Sequence, residues 1–117
     1  MPQTVGSPIY TGLQMAKGTA TATSGAATCN AYLCRITSES LTTAAAAEYT
    51  LTLTNANITA NSVLFVSAHL GTSTQGTLAT GEAKPAAGSA TITVTNTHAS
   101  SALNGTIVID VLVIQPA

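Results

Sequence analysis

The stretch Tyr49-Thr50-Leu51-Thr52-Leu53-Thr54 alternates apolar and polar side chains without a break. Side chains two positions apart on an extended strand face the same side of the sheet, so the apolar residues point one way and the threonines the other. The segment Thr91-Ile92-Thr93-Val94-Thr95 repeats this pattern. A period of two in both segments predicts β-strands with one buried face and one outward face.

Two further segments, residues 62–66 and residues 106–114, are apolar on both faces. Such a strand lies in the centre of a sheet, or its outer face meets another subunit, and the sequence leaves both interpretations open. Weaker strands are predicted at 17–23, 26–29, 34–40 and 77–83, which gives seven or eight strands in all. The four alanines at 44–47 are predicted to form at most one helical turn, because so short a run is marginal alone.

Turn-forming residues separate these segments at 55–57, 71–76, 84–88 and 104–105. The pair Asn104-Gly105 is the strongest hairpin signal, because both residue types accept positive φ. Short strands joined by such turns are typical of an antiparallel all-β domain. We therefore predict one all-β domain over residues 17–117.

The composition is unusual, since Thr, Ala and Ser fill 53 of the 117 positions and charged residues only 6%. A low-complexity, disordered chain is the first alternative to consider. The mean hydropathy of +0.37 and the many Val, Ile and Leu residues of the second half argue against it, because disordered segments usually lack such residues. The chain is expected to fold.

The net charge of −1 comes from three basic and four acidic residues. Neutralising several phosphates takes a cluster of Lys and Arg, so nucleic acid and anionic membranes are poor candidates for partners. No apolar run approaches the 18 or so residues that span a bilayer. The N-terminus also lacks a basic region followed by an apolar one, so no secretion signal is expected.

Candidate catalytic groups are few. The carboxylates are Glu39, Glu48, Glu82 and Asp110, and the imidazoles are His69 and His98. The carboxylates are interpreted as solvated surface groups, the histidines are too few for a metal site, and no Gly-x-Ser-x-Gly motif or phosphate-binding glycine pattern occurs. We expect no enzymatic activity, no metal and no cofactor.

Cys29 and Cys34 flank a stretch of four residues. If that stretch is a hairpin loop, the two cysteines lie opposite each other and can form a disulfide, worth about 2 kcal/mol in so small a loop. A protein made in a reducing cytosol keeps free thiols by default, so the bond would form after release from the cell. The alternative is two unconnected thiols.

The first sixteen residues differ from the rest, with recurring Pro and Gly and no alternation. One interpretation is a flexible N-terminal segment. The other is an extended arm, residues 1–16, that lies across a neighbouring subunit and contacts it through Val5, Ile9, Tyr10 and Leu13.

The scarcity of charge predicts self-association, because sheet proteins usually protect their edge strands with charged residues. Asp110 is a candidate contact residue, since it shares a strand face with Val108 and Leu112. An unpaired carboxylate there would be costly if buried. It therefore faces water at a subunit seam or pairs with one of three basic residues, Arg35, Lys17 or Lys84, unless it is simply exposed on an outer face.

Three segments, residues 36–45, 49–55 and 96–107, carry a family resemblance. They resemble small structural proteins of tailed bacteriophages, and among these the capsid decoration, or cement, proteins. The resemblance covers residues 17–115 and consists of strand and loop patterns without a catalytic motif. The N-terminal arm is not covered, and the two cysteines are not part of the family pattern.

The resemblance implies a single antiparallel β-sandwich, jelly-roll-like, present in many copies on the outer surface of the virion head. It implies homotrimers at local threefold positions that bridge the major capsid protein and stabilise the shell. The protein would be made in the host cytoplasm and would function in the virion. A head-fibre, tail or receptor-binding module is the alternative, and a bacterial adhesin-type domain is more remote.

Overall fold

The computed structural model describes residues 15–116, and this part of the chain is all-β with no helix. Eight strands follow one another along the chain. They are β1 (Lys17–Thr21), β2 (Ala26–Thr28), β3 (Leu33–Thr37), β4 (Glu48–Thr54), β5 (Val63–Leu70), β6 (Leu78–Ala86), β7 (Ser89–Asn96) and β8 (Ile107–Ile114). Most of the proposed arm, with its contact candidates Val5, Ile9, Tyr10 and Leu13, lies outside the described residues.

The strands form two four-stranded sheets that pack together as a sandwich. The front sheet has the order β1-β3-β8-β5, and the back sheet has the order β2-β4-β7-β6. The predicted alternation is confirmed in β4, where Tyr49, Leu51 and Leu53 are buried and the threonines are exposed. Inward side chains of both sheets build one core, whose largest fully buried apolar members are Ile36, Leu51, Leu53, Ile58, Ile92, Val94, Ile107, Ile109 and Val111.

The prediction of a purely antiparallel domain is wrong at one edge of each sheet. Strand β1 pairs with β3 in parallel, and β2 pairs with β4 in parallel. The parallel pairs arise because the chain passes from the front sheet to the back sheet between β1 and β2 and returns to the front sheet between β2 and β3. The tight turn at Ser24-Gly25, with φ of 49° and 77°, reverses the chain between β1 and β2. A second reversal returns it to the front sheet, so β3 runs in the same direction as β1.

Two turn predictions are also corrected. Asn104-Gly105 does not form a hairpin, because β7 and β8 belong to different sheets. The Asn104 side chain instead accepts hydrogen bonds from the Ser73 hydroxyl and the Thr74 amide, at 3.0 and 2.7 Å. A Cβ at Gly105 would lie 2.7 Å from the Ser73 nitrogen, so close backbone approach requires glycine there. Residues 44–47 form a turn without any helix.

The two strands that are apolar on both faces occupy different places. Strand β8 is central in the front sheet, between β3 and β5. Strand β5, in contrast, is an edge strand, so its apolar outward residues are not explained by a central position.

Two fully buried asparagines connect the loops to the sandwich. The Asn96 side chain donates to the carbonyls of Thr43 and Ser101 and accepts from the amides of Thr77 and His98. Asn55 donates to the Ala31 carbonyl at 2.7 Å. Among the described residues, every buried side-chain nitrogen and oxygen has a hydrogen-bond partner. The asparagines therefore replace the hydrogen bonds that irregular backbone would otherwise lack.

Candidate functional site

The two outer faces of the sandwich differ in chemistry. On the back sheet, the register of β4 and β7 places Thr50 opposite Thr93 and Thr52 opposite Thr91. Cross-strand threonine pairs stabilise a sheet while their hydroxyls remain available to water. The back face is therefore a polar surface that is compatible with direct exposure to solvent.

The front face is apolar at one end. Phe65 is 58% exposed, Val63 is 47% exposed and Ile114 is 45% exposed. The register aligns Phe65 with Leu112 and Leu112 with Leu33, both half-buried on the same face. We call Leu33, Val63, Phe65, Leu112 and Ile114 the apolar patch. Contiguous exposed apolar surface of this kind commonly marks a contact with another molecule.

A shallow depression of about 260 Å³ lies within the front face. Its lining combines apolar patch residues Leu33, Phe65 and Leu112 with the polar residues Ser67 and Asp110. Pockets for small-molecule ligands usually span about 300 to 1,000 Å³ and enclose most of the ligand. The depression is below that size, so it fits one side chain of a protein partner better than a substrate.

Arg35 and Asp110 lie opposite each other on β3 and β8, beside the depression. The guanidinium donates two hydrogen bonds to the carboxylate, at 2.8 and 3.0 Å. Of the three basic residues named as candidate partners, the structure places Arg35 against Asp110. The hydrogen bond from Arg35, with the charges of Arg35, His69 and Lys17, lowers the pKa of Asp110, although partial burial opposes this.

The lowered pKa predicts a pH-dependent contribution to stability. The ionised pair stabilises the fold above the ordinary carboxyl pKa of about 3.9, and this contribution is lost as pH falls through the lowered folded-state value. We expect Asp110→Asn to be slightly less stable than wild type at pH 7 and equally stable near pH 2. Denaturant midpoints across this range measure the effect, with the exposed Glu82→Gln as control. A difference that stays constant from pH 7 to pH 2 contradicts the prediction.

Cys29 and Cys34 are joined in a disulfide, with their Cα atoms 6.2 Å apart. The hairpin expected around them does not exist, because Cys29 follows β2 of the back sheet and Cys34 belongs to β3 of the front sheet. The bond therefore links the two sheets, and both cysteines are buried. Space beside it is limited, since a Cβ at Gly18 would lie 2.7 Å from the Cys29 sulfur.

Reduction of this disulfide is expected to lower the free energy of unfolding by about 2 kcal/mol, because it releases a short closed loop in the unfolded chain. Denaturant unfolding with and without a thiol reductant measures the change. The double variant Cys29→Ala/Cys34→Ala is the control, since reductant should not affect it. Two thiols that react with a labelling reagent in unreduced, denatured protein would show that the bond is not formed.

Three further titratable side chains, Glu39, Tyr49 and His98, make hydrogen bonds within the fold. Glu39 accepts hydrogen bonds from the Gly25 amide and the Tyr49 hydroxyl, each at 2.9 Å, so it is not the solvated carboxylate expected from sequence. Burial, followed by the hydrogen bond to Glu39, raises the pKa of Tyr49 above its ordinary value. His98 accepts from the amides of Ser100 and Ser101 through Nδ1.

Within residues 15–116, no group of three or more His, Cys, Asp or Glu side chains could hold a metal ion. In the same range, no helix is long and apolar enough to cross a membrane.

The sequence identified the segments that form the apolar patch but not the patch itself. It recognised residues 62–66 and 106–114 as apolar on both faces, and the structure brings their outward residues together by pairing β5 with β8. Leu33 was missed, because a single leucine beside a cysteine carries no pattern.

No protein-family model, no curated protein and no solved structure matches this chain.

Proposed function

We propose that this protein is a structural component of a virus particle, a decoration protein that binds the outer surface of an assembled capsid. Each copy would bridge neighbouring major capsid subunits. The apolar patch is the observation that carries the proposal, because it offers contact surface for a protein partner. The resemblance of residues 17–115 to phage decoration proteins supplies the identity of that partner.

The chemistry of the two faces supports a mechanical role. A threonine-rich back face can stay in water while the front face is covered, so one copy can lie on a shell with its apolar patch inward. Binding only to the assembled shell would stabilise that state by mass action, by an amount that grows with the logarithm of the free protein concentration relative to its dissociation constant. No reaction is required of the protein, and none of its carboxylates or imidazoles needs a catalytic role.

The finer parts of the proposal come from the resemblance and from the position of β1. They are a jelly-roll-like sandwich, despite its two parallel edge pairs, a homotrimeric grouping, and an arm at residues 1–16 that clamps a neighbouring subunit. The described chain enters the front sheet at β1, where Lys17 lies opposite Leu33 of the apolar patch. An arm that leaves from this position starts beside the patch, so both could contact the same neighbour.

The experiment mixes purified protein with expanded empty capsids of the phage that encodes it. We expect saturable binding at a fixed ratio to the major capsid protein. Ile114→Lys, which places a charge in the apolar patch, should weaken binding at least tenfold, whereas Thr52→Lys on the back face should not. Binding to host cells and not to capsids would contradict the proposal and favour a fibre or receptor-binding role.

A second comparison tests the arm. Deleting residues 1–16 should lower capsid affinity while leaving the thermal unfolding of the sandwich unchanged. Unaltered capsid affinity would refute the clamping role.

A further inference from the structure

We propose that strand β5 is a pairing edge, at which a second copy of this chain adds its own β5 in antiparallel orientation. The two front sheets would then form one continuous sheet of eight strands. This pairing has twofold symmetry, so it goes beyond the proposed function and differs from the trimeric grouping that the family resemblance implies.

The four sheet edges in residues 15–116 are unequally protected. Strand β1 has five residues and begins with Lys17, and β2 has only three residues. Strand β6 contains Lys84 and Pro85 and is interrupted by a register shift between Thr80 and Ala83. Short length, lysine, proline and bulges are the usual means by which an edge avoids pairing with another chain. Three of the four edges therefore resist strand addition.

Strand β5 has none of these protections. It is eight residues long, contains no Asp, Glu, Lys, Arg, Pro or Gly, and pairs with β8 without a register shift from Val63 to Leu70. In the described part of the chain, its backbone pairs on one side only, with β8. Its other side presents an uninterrupted row of amide and carbonyl groups about 27 Å long.

The inward side chains of β5 are less covered than those of the central strand β8. The β5 residues Leu64, Val66 and Leu70 are only half-buried. On the adjacent β8, the inward residues Ile109 and Val111 are almost fully buried. An additional strand beside β5 would cover the half-buried row, as β5 itself covers the row on β8.

A second β5 fits this edge for two reasons. An edge pairs with its own copy by a twofold operation, so every free donor and acceptor row finds its complement. Strand β5 carries no Asp, Glu, Lys or Arg that would oppose the same residue of its copy, and His69 is its one titratable side chain. The exposed apolar side chains of β5 itself, Val63 and Phe65, lie along the new contact and supply on the order of 200 Å² at most, whereas Ile114 lies one strand away on β8. That area alone is well below the roughly 800 Å² per partner of a stable interface, so the backbone ladder has to contribute.

The test measures two quantities over a series of protein concentrations: the mass of the particle in solution and the rate of hydrogen exchange at backbone amides. Sedimentation velocity of the wild type should show the mass rising twofold between low and high micromolar concentration. Phe65→Lys should remain at the lower mass, because it adds a charged side chain to the β5 edge of each copy, and Thr52→Lys on the back face should behave like wild type. Hydrogen exchange at β5 amides should slow with concentration, whereas exchange at β6 amides should not change.

Two outcomes would count against the pairing. A wild-type mass that does not change up to several hundred micromolar would overturn it. So would a concentration-dependent dimer whose β5 amides exchange at a constant rate, because that dimer would associate through the face and not the edge. If Phe65→Lys fails to fold, Val63→Lys at the start of β5 replaces it. Capsid binding of the wild type is measured separately, so a wild-type protein that binds capsids without pairing through β5 leaves the proposed function standing.

Discussion

Asn96→Ala is expected to lower the free energy of unfolding by about 4 kcal/mol, a large share of the 5 to 15 kcal/mol typical of a domain. The side chain is fully buried at the end of β7 and makes four hydrogen bonds to backbone groups. Alanine leaves two amides and two carbonyls of three loop segments without these partners. Each unsatisfied buried group costs about 1 to 3 kcal/mol, less where water can enter.

Urea unfolding followed by circular dichroism measures this effect. The matched control is Asn61→Ala, because Asn61 is an exposed asparagine in the connection between β4 and β5. We expect the control to change stability by less than about 0.5 kcal/mol. Equal midpoints for the two variants would show that Asn96 does not hold the loops as the structure indicates.

Leu51→Ala should destabilise the protein by about 3 kcal/mol, since it deletes a fully buried side chain from the centre of the core. The site lies on β4 opposite Ile92 of β7, with both sheets packed around it. Neighbouring strands are held by ladder hydrogen bonds and cannot collapse freely into the cavity. The loss in free energy of unfolding is therefore expected in the middle of the range measured for substitutions of a buried leucine by alanine.

Thr52→Ala is the control for this second prediction, because it changes the next residue of the same strand on the opposite face. Thr52 is exposed and pairs with Thr91 across the back face. Its loss should cost less than about 1 kcal/mol, the range of one cross-strand pair. If the two adjacent variants are equally destabilised, the assignment of inward and outward faces on β4 is wrong.

The all-β fold could be predicted because its signal is local. The alternation in residues 49–54 and 91–95 reflects the pleat of a single strand, and it needs no knowledge of neighbours. The parallel pairs could not be predicted in this way. They depend on which sheet each strand joins after the turn at Ser24-Gly25, and tight turns look alike whether the chain stays in one sheet or crosses to the other.

The candidate site was predictable only in part, for the same reason. Asp110 was flagged because a carboxylate stands out among apolar neighbours, yet its partner Arg35 lies 75 residues away and was one of three candidates. For the disulfide, the sequence suggested the correct pair of cysteines but placed it in the wrong structural setting. The spacing of Cys29 and Cys34 suggested a bond within one hairpin, whereas the structure has a bond between two sheets.

By itself, the sequence determined that this chain forms strands, which side chains of β4 and β7 enter the core, and that few charges are available to any partner. These properties follow from the order of neighbouring residues and from composition. Only the tertiary structure decided that β5 is an edge, that its outward residues meet those of β8 in one apolar patch, and that the charges of β1 and β6 protect other edges. Such features are set by pairings between strands that are distant in sequence, because an edge strand is one that has a hydrogen-bonded neighbour on one side only.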